Sequence, residues 1–479
     1  MNSAGLALII VTTAIFSGIG ILSSRGQRLS IEDYITARNS TGLGATIATL
    51  IASSMGAWIL FSPAEATVTA GITALIGYAL SSAVALFLYA WLGQRLRTMM
   101  PEGHSIAEYV FYRFGRGMYA LALIITAFYM GVFLTAELTG IALAVQMAFG
   151  VPPGLTAAVV GIGTLIYTAL GGLRASIFTD KIQSWLILPL LAVIFLVSLT
   201  QVADIRQITH TAPDLLNLGS LAGIEYGATL LLAIVSAELF NQANWQRVYV
   251  ADSSQTMRRA FLSAGVIILP IILIVGSFGF FAVGAGTADV PSVALIAFII
   301  NATPPWMVLV TMVLAITLIM SSMDSLLNGL VSLFTVDLVR LRPQTDQQQL
   351  MRLARAGSVV LAVLAILIAS QGYSVLYLFL VADLVCAAAV FPTYYGLFNR
   401  RLSGTVALVA SISGIIAGAL YFPDPTFSRG NLFLSFLIAF SVPTVMSVVL
   451  ARLRLGIPFD FQHLQEKVVA IGEAPKKAV

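Results

Sequence analysis

One cysteine and three histidines are all that 479 residues contain of those two types, and this scarcity removes whole classes of chemistry. Cys386 has no partner for an intrachain disulfide. His104, His210 and His463 fall in predicted loops or in the tail, with no spacing that gathers ligands around a transition metal. No Walker loop and no nucleophile elbow occurs, and Gly171-Gly172 reads as a turn between helices. Neither an enzyme nor an organic cofactor is expected. Charge is scarce too: 10% of residues are charged, where soluble domains carry about a quarter. The net charge of +4 is small, and its placement matters more than its size; no nucleic-acid partner is expected.

Apolar residues fill the space, at 59% of the chain. A soluble fold of this size still needs polar cover and cannot hide that much apolar surface. The chain is therefore predicted to be an all-α integral membrane protein with the lipid bilayer as its main partner. Met1 to Ser24 lacks a basic n-region and a small-residue cleavage site, which marks a retained first span rather than a signal peptide.

Apolar runs long enough for a hydrocarbon core of roughly 30 Å fall at 4–24, 41–66, 72–99, 115–149, 153–172, 177–202, 223–246, 257–284, 304–339, 349–370, 373–398, 403–421 and 430–454. That is about 13 transmembrane helices. Basic residues test the count. Arg25, Arg28, Arg38, Arg95, Arg97, Arg113, Arg116, Arg174, Lys181, Arg247, Arg258, Arg259, Arg340, Arg342, Arg352, Arg355, Arg400, Arg401, Arg452 and Arg454 all fall on one set of alternate connections, with the tail lysines. Only Arg206 and Arg429 fall on the other. The positive-inside rule then predicts a multi-pass cell-membrane protein with its N-terminus outside and its C-terminus cytoplasmic. Polar connections are expected at 203–222, 285–303 and 340–348. The tail at 455–479 is either a short interfacial helix (Phe459, Phe461, Leu464, Val468) or unstructured.

Polar groups inside a span must be paired or face a cavity. Span 2 reads Ala52-Ser53-Ser54-Met55-Gly56-Ala57-Trp58 and then Ser62-Pro63. These small residues either break the helix and free carbonyls for a cation or allow close helix packing. Span 9 carries Ser321, Ser322, Asp324 and Ser325, with three of them at i, i+3, i+4. They form either an oxygen cradle for a hard cation or serines bonded back to their own helix beside a carboxylate near its end. Asp180 either caps span 6, where the helix dipole favours an anion, or has a functional role. Span 7 ends in Glu238, Asn241, Gln242, Asn244, Trp245, Gln246 and Arg247, too polar for lipid and suggestive of an unwound segment at a cavity. Asp383 is a further carboxylate at membrane depth, whereas Glu65 sits near the outer end of span 2. No lysine or arginine is expected within the spans. With no ATP site, uphill transport has to draw on an ion gradient.

In chain order, several pieces resemble the sodium:solute symporter family, whose members carry sugars, sialic acid, proline, pantothenate, monocarboxylates or urea. They are Glu32-Asp33-Tyr34, Ala37-Arg38-Asn39, Ala52-Ser53-Ser54, Ser105 to Tyr109, Arg113-Phe114-Gly115, Gly171 to Ala175, Thr179 to Gln183, Asn241-Gln242, Gln246-Arg247 and Ser321-Ser322. The resemblance covers about residues 30–400. It implies a LeuT-type core of two inverted five-helix repeats, 41–202 and 223–398, with an extra first helix (1–30) and two extra C-terminal helices (403–454). It also implies sodium as the coupling ion, held by the carbonyls of Ala52, Met55 and Leu318 and the hydroxyls of Ser321 and Ser322. Asp180, Ser321 and Ser325 match a second cation site of some members, but Asp324 stands where those members have serine. Two sodium ions, or one sodium and a proton, are open there.

The implied function is sodium-driven symport of a small polar solute (an amino acid, urea-like solute, short carboxylate or sugar). Ser54, Trp58, Phe61, Tyr78, Glu238, Asn241, Asn244, Trp245 and Asp383 are the expected lining of its pocket. A proton-coupled or uncoupled carrier, or a solute sensor on the same fold, is the rival. The oligomeric state is left open.

Overall fold

The computed structural model describes residues 3–26, 30–201, 212–341, 346–369, 375–425, 428–453, 458–462, 464 and 468. Expectations for His210, His463, most of the 203–222 connection and most of the tail fall outside them. Sixteen α-helices run in chain order: α1 Ser3–Ser24, α2 Ile31–Ile35, α3 Leu43–Ser54, α4 Ser62–Met99, α5 Ile106–Phe114, α6 Arg116–Phe149, α7 Pro153–Gln201, α8 Leu221–Glu238, α9 Gln242–Val250, α10 Ser254–Gly284, α11 Ala294–Ala302, α12 Pro305–Leu341, α13 Gln347–Ala369, α14 Val375–Tyr395, α15 Gly404–Ala419 and α16 Leu432–Arg452. Among the described residues the extended pairing is a bridge between Thr41 and Ala251.

Ten helices are long and apolar enough to cross a membrane, and two of them are interrupted by a non-helical glycine. The 38 residues of α4 and the 49 of α7, at about 1.5 Å per residue, far exceed a hydrocarbon core of roughly 30 Å. Each reverses at one glycine with positive φ: Gly71 (φ 76°, ψ −162°) and Gly172 (φ 55°, ψ −146°). Divided there, with α3 joined to the first part of α4 and the shorter α15 included, the helices give about thirteen crossings. That agrees with the apolar runs in the sequence.

Three local expectations change. The 285–303 connection contains α11, a short helix that buries Leu295, Ile296, Phe298 and Ile299. The helix after Gly172 starts before residue 177, so Asp180 lies two turns inside it and is not a cap. Arg247 is not at a cytoplasmic surface: span 7 stops at Glu238 and resumes as α9, which carries Arg247 into the protein with no exposure.

Lipid tails are as apolar as leucine, so packing and internal hydrogen bonds, not burial from water, hold such helices together. The outer helices show large apolar side chains outward, among them Leu22, Trp185, Val360 and Leu420. At the centre stands α12, the most enclosed of the ten, with 72% of its apolar window buried. It packs against α3, α6, α7 and α9, and these five helices carry the buried ionic network described next.

Candidate ion and solute site

The break in span 2 follows from its composition. α3 ends at Ser54, Met55 and Gly56 are extended, and a 3₁₀ turn at 57–60 leads to Pro63 in the first turn of α4. Small residues and proline cannot hold a helix through this stretch, and the last carbonyls of α3 have no successor on their own helix. Ser321 and Ser322 are buried on α12, which packs against both α3 and the 57–60 turn. Ser321 Oγ donates to Asp180 Oδ1 at 2.5 Å, and Ser322 Oγ donates to Glu137 Oε2 at 2.8 Å. With their protons turned to carboxylates, both oxygens keep lone pairs for a cation. Two hydroxyls and helix-end carbonyls are hard donors that fit sodium.

Behind Ser321 lies a buried ionic network. Asp180 Oδ2 accepts from Thr49 at 2.5 Å and from Arg247 Nη2 at 3.3 Å. Arg247 also donates to Ser325 Oγ at 2.6 Å and to the Ala243 carbonyl at 3.0 Å. Asp324 accepts from Ser176 at 2.6 Å, Tyr167 at 2.7 Å, Ser325 at 3.1 Å and Thr179 at 3.2 Å. The structure therefore brings Asp180, Ser321, Asp324 and Ser325 together, as expected from sequence. It adds Arg247, Tyr167 and Ser176 to them, so the expectation of no arginine within the spans does not hold.

Beyond the break lies a small cavity of about 40 Å³, lined by Trp58, Tyr78, Tyr129, Phe133, Glu238, Phe379 and Asp383 with four leucine or isoleucine side chains and Ala237. Among the described residues no basic side chain lines it. Trp58 stacks on Tyr78 (centroids 5.7 Å apart), and Phe133 meets Phe379 edge-on. Glu238 accepts from Tyr129 at 3.0 Å, Asn244 at 2.8 Å and Asn241 at 3.2 Å. Asp383 is 4% exposed, yet its Oδ1 has no hydrogen-bond partner, and neither has Trp58 Nε1. Of the nine residues expected to line the pocket, Trp58, Tyr78, Glu238 and Asp383 do so. Asn241 and Asn244 stand behind Glu238, and Ser54 and Phe61 lie outside the lining. Trp245 packs between Tyr89 and Tyr394 while donating to the Leu239 carbonyl. Tyr129, Phe133, Phe379 and Glu137 are absent from the sequence-based set.

Leu376 also lines a wider vestibule that carries Glu65, Glu225 and Tyr226. At the opposite end, His104 closes a clasp between connections. It pairs with Glu32 at 2.9 Å and Glu108 at 3.2 Å, while Arg38 pairs with Glu32 at 2.9 Å. Burial lowers the affinity of His104 for its proton, but the two carboxylates outweigh it and hold its pKa at about 9. Burial likewise raises the pKa of Glu32, and His104 with Arg38 overcomes it, down to about 2.

Residues 34–414 match the model of the sodium:solute symporter family. A spermidine transporter of Candida albicans is 27% identical over 372 residues, which cover 77% of this chain and 70% of the relative. A sodium/glucose cotransporter of Vibrio parahaemolyticus is 24% identical over 85% of this chain and 82% of its own. Among solved structures, a Na+-coupled sialic acid symporter superposes with a TM-score of 0.79 at 19% identity, covering 95% of this chain and 98% of that one.

Proposed function

The chain belongs to the sodium:solute symporter family, and from that premise we propose that the solute it carries with sodium is a small organic cation, an amine or a short polyamine. The family places it among multi-pass membrane transporters that couple sodium to small solutes, not among enzymes. One observation carries the substrate class: a buried carboxylate oxygen of Asp383 without a partner opens on an aromatic cavity that holds Glu238 and, among the described residues, no basic side chain.

A buried charge costs several kcal/mol unless it is paired. A protonated amine is the solute that pairs it, and aromatic faces add about 0.5–2 kcal/mol each as cation–π contacts. A short carboxylate meets two like charges here, and a sugar leaves Asp383 unpaired. The name of the Candida albicans relative, a spermidine transporter, agrees with a cationic solute.

In this reading sodium sits among the carbonyls of Ala52, Met55 and Leu318 and the hydroxyls of Ser321 and Ser322. The inverted repeats run over 41–202 and 223–398, and the N-terminus is outside. The vestibule at Glu65 then faces outward and the His104 clasp faces the cytoplasm.

Proteoliposome uptake of radiolabelled putrescine and spermidine, driven by sodium or by choline at fixed pH, tests it. Sodium-driven amine uptake that drops at least tenfold in Asp383→Asn or Glu238→Gln is expected. Uptake that is equal in choline overturns sodium coupling. Sugar or proline uptake that amines do not compete with overturns the substrate class.

A further inference from the structure

We propose that Glu137 orients Ser322 toward the coupling sodium and sets a carboxylate behind a ligand set made of neutral oxygens. The inference rests on the placement of sodium among Ala52, Met55, Leu318, Ser321 and Ser322.

A serine hydroxyl has one proton and two lone pairs. A cation accepts only the lone pairs, so a ligating serine must point its proton at some other acceptor. For Ser321 that acceptor is Asp180; for Ser322 it is Glu137. The two hydroxyl ligands thus have parallel supports from different helices, α7 and α6.

Ser322 also has the alternative open to any serine inside a helix, the carbonyl one turn back. Ile319 O lies at 3.2 Å and Glu137 Oε2 at 2.8 Å. The charged acceptor is the stronger of the two, so it sets the rotamer in which the lone pairs face the break. Without the carboxylate charge the proton returns to Ile319 and the oxygen turns with it.

Glu137 also fills the break itself. Its side chain has no exposure, and its Oε1 lies 3.5 Å from the Trp58 amide. A Cβ on Gly56 would fall 2.1 Å from that same oxygen. Residue 56 is therefore kept free of a side chain where the carboxylate enters, next to the carbonyl of Met55. Glu137 touches both halves of the site, the hydroxyl on α12 and the main chain of the broken span. Asp180, by comparison, shares its charge with Arg247.

Removing an outer partner of a metal ligand commonly weakens the metal by about 10–100-fold. Direct 22Na+ binding to the purified full-length protein is the primary readout, with the sodium dependence of uptake beside it. Glu137→Gln should raise the sodium dissociation constant by roughly 10–100-fold, and the loss should appear in half-saturating sodium more than in maximal rate. Glu137→Asp, which keeps the charge but draws it back, should give a smaller rise. Ser322→Ala should weaken sodium similarly, and Glu137→Gln added to it should weaken sodium little further, because the two act as one unit.

Wild-type sodium binding in Glu137→Gln, or fully additive effects of Glu137→Gln and Ser322→Ala, overturns the proposal while the ion site stands. Unchanged binding in the Ser321→Ala, Ser322→Ala double variant removes the ion site itself, and the proposal with it.

Discussion

Arg247 and Asp180 meet at 3.3 Å with neither side chain reached by solvent. The pair lies where sequence places a second cation, among Ser321, Asp324 and Ser325. A guanidinium presents its donors in a rigid fork, and here the fork serves Asp180, Thr49, Ser325 and the Ala243 carbonyl. The protein thus carries a positive charge of its own beside the proposed ion site. That charge is joined to the half-helix α9, which follows the break in span 7.

Removing one member of such a pair leaves an uncompensated buried charge, at about 3–5 kcal/mol. Arg247→Met is therefore expected to lower the thermal unfolding temperature sharply in detergent. Asp180→Asn in the same chain should recover part of the loss, since two neutral groups replace two charged ones. A double variant no more stable than Arg247→Met alone would mean that the pair is not the source of the loss.

The His104 clasp gives a pH dependence whose sign is set by its two shifts. His104 has its pKa raised from 6.5 to about 9, so its contribution is full below about pH 6.5 and is lost as pH rises through 9. Glu32 is lowered from 4.5 to about 2, so its contribution is full above about pH 4.5 and is lost as pH falls through 2. Wild type should exceed His104→Gln in thermal stability by the largest margin between about pH 4.5 and 6.5. The margin should shrink on going to pH 9.5, and a margin constant over that range would show that His104 is not charged in the fold.

Much of this architecture is legible in the sequence because hydropathy and basic residues report crossings directly. Small and polar residues at 52–58 and 238–247 report the two breaks, and the Ser-x-x-Glu spacing of Ser105 and Glu108 is a helix-start signal that the structure uses. Other features are not local. Arg247 looks cytoplasmic because it follows a run of amides, and only the resumption of the helix as α9 carries it inward. Tyr129, Phe133 and Phe379 are indistinguishable from lipid-facing aromatics until helices α6 and α14 are placed side by side. Glu137 does carry a signal, a carboxylate amid an apolar run at mid-span, but it stands alone, and attention to polar clusters passes over it.

The reversal at Gly172 is a steric requirement. Its φ is 55°, and a Cβ there would lie 2.5 Å from the Tyr34 carbonyl. Gly172→Ala should lose about 1–3 kcal/mol from the left-handed backbone alone, with more from the clash. Lower yield of monodisperse protein and a lower unfolding temperature are the measurements. By contrast Gly18→Ala, where a Cβ meets nothing within 4 Å, should change little.

An organic cation travelling with sodium moves at least two positive charges per cycle, and each gains about 2.3 kcal/mol from 100 mV. Rapid addition of putrescine to proteoliposomes on a solid-supported membrane should give an inward positive current in sodium. Asp383→Asn should abolish the current at low amine concentration. A current that neutral sugars evoke equally well would contradict the charge carried by the solute.

The Thr41–Ala251 bridge has a mechanical meaning. The amides of Ser40 and Thr41 donate to the Val250 carbonyl, and the Asp252 amide donates to the Thr41 carbonyl. Residue 41 leads into the first broken span and residue 251 leaves the second, so these two ends are yoked main chain to main chain. Neither half-helix can swing alone: tilting one drags the other. Any opening of the protein at this end moves both as one lever against α12, or tears this yoke first.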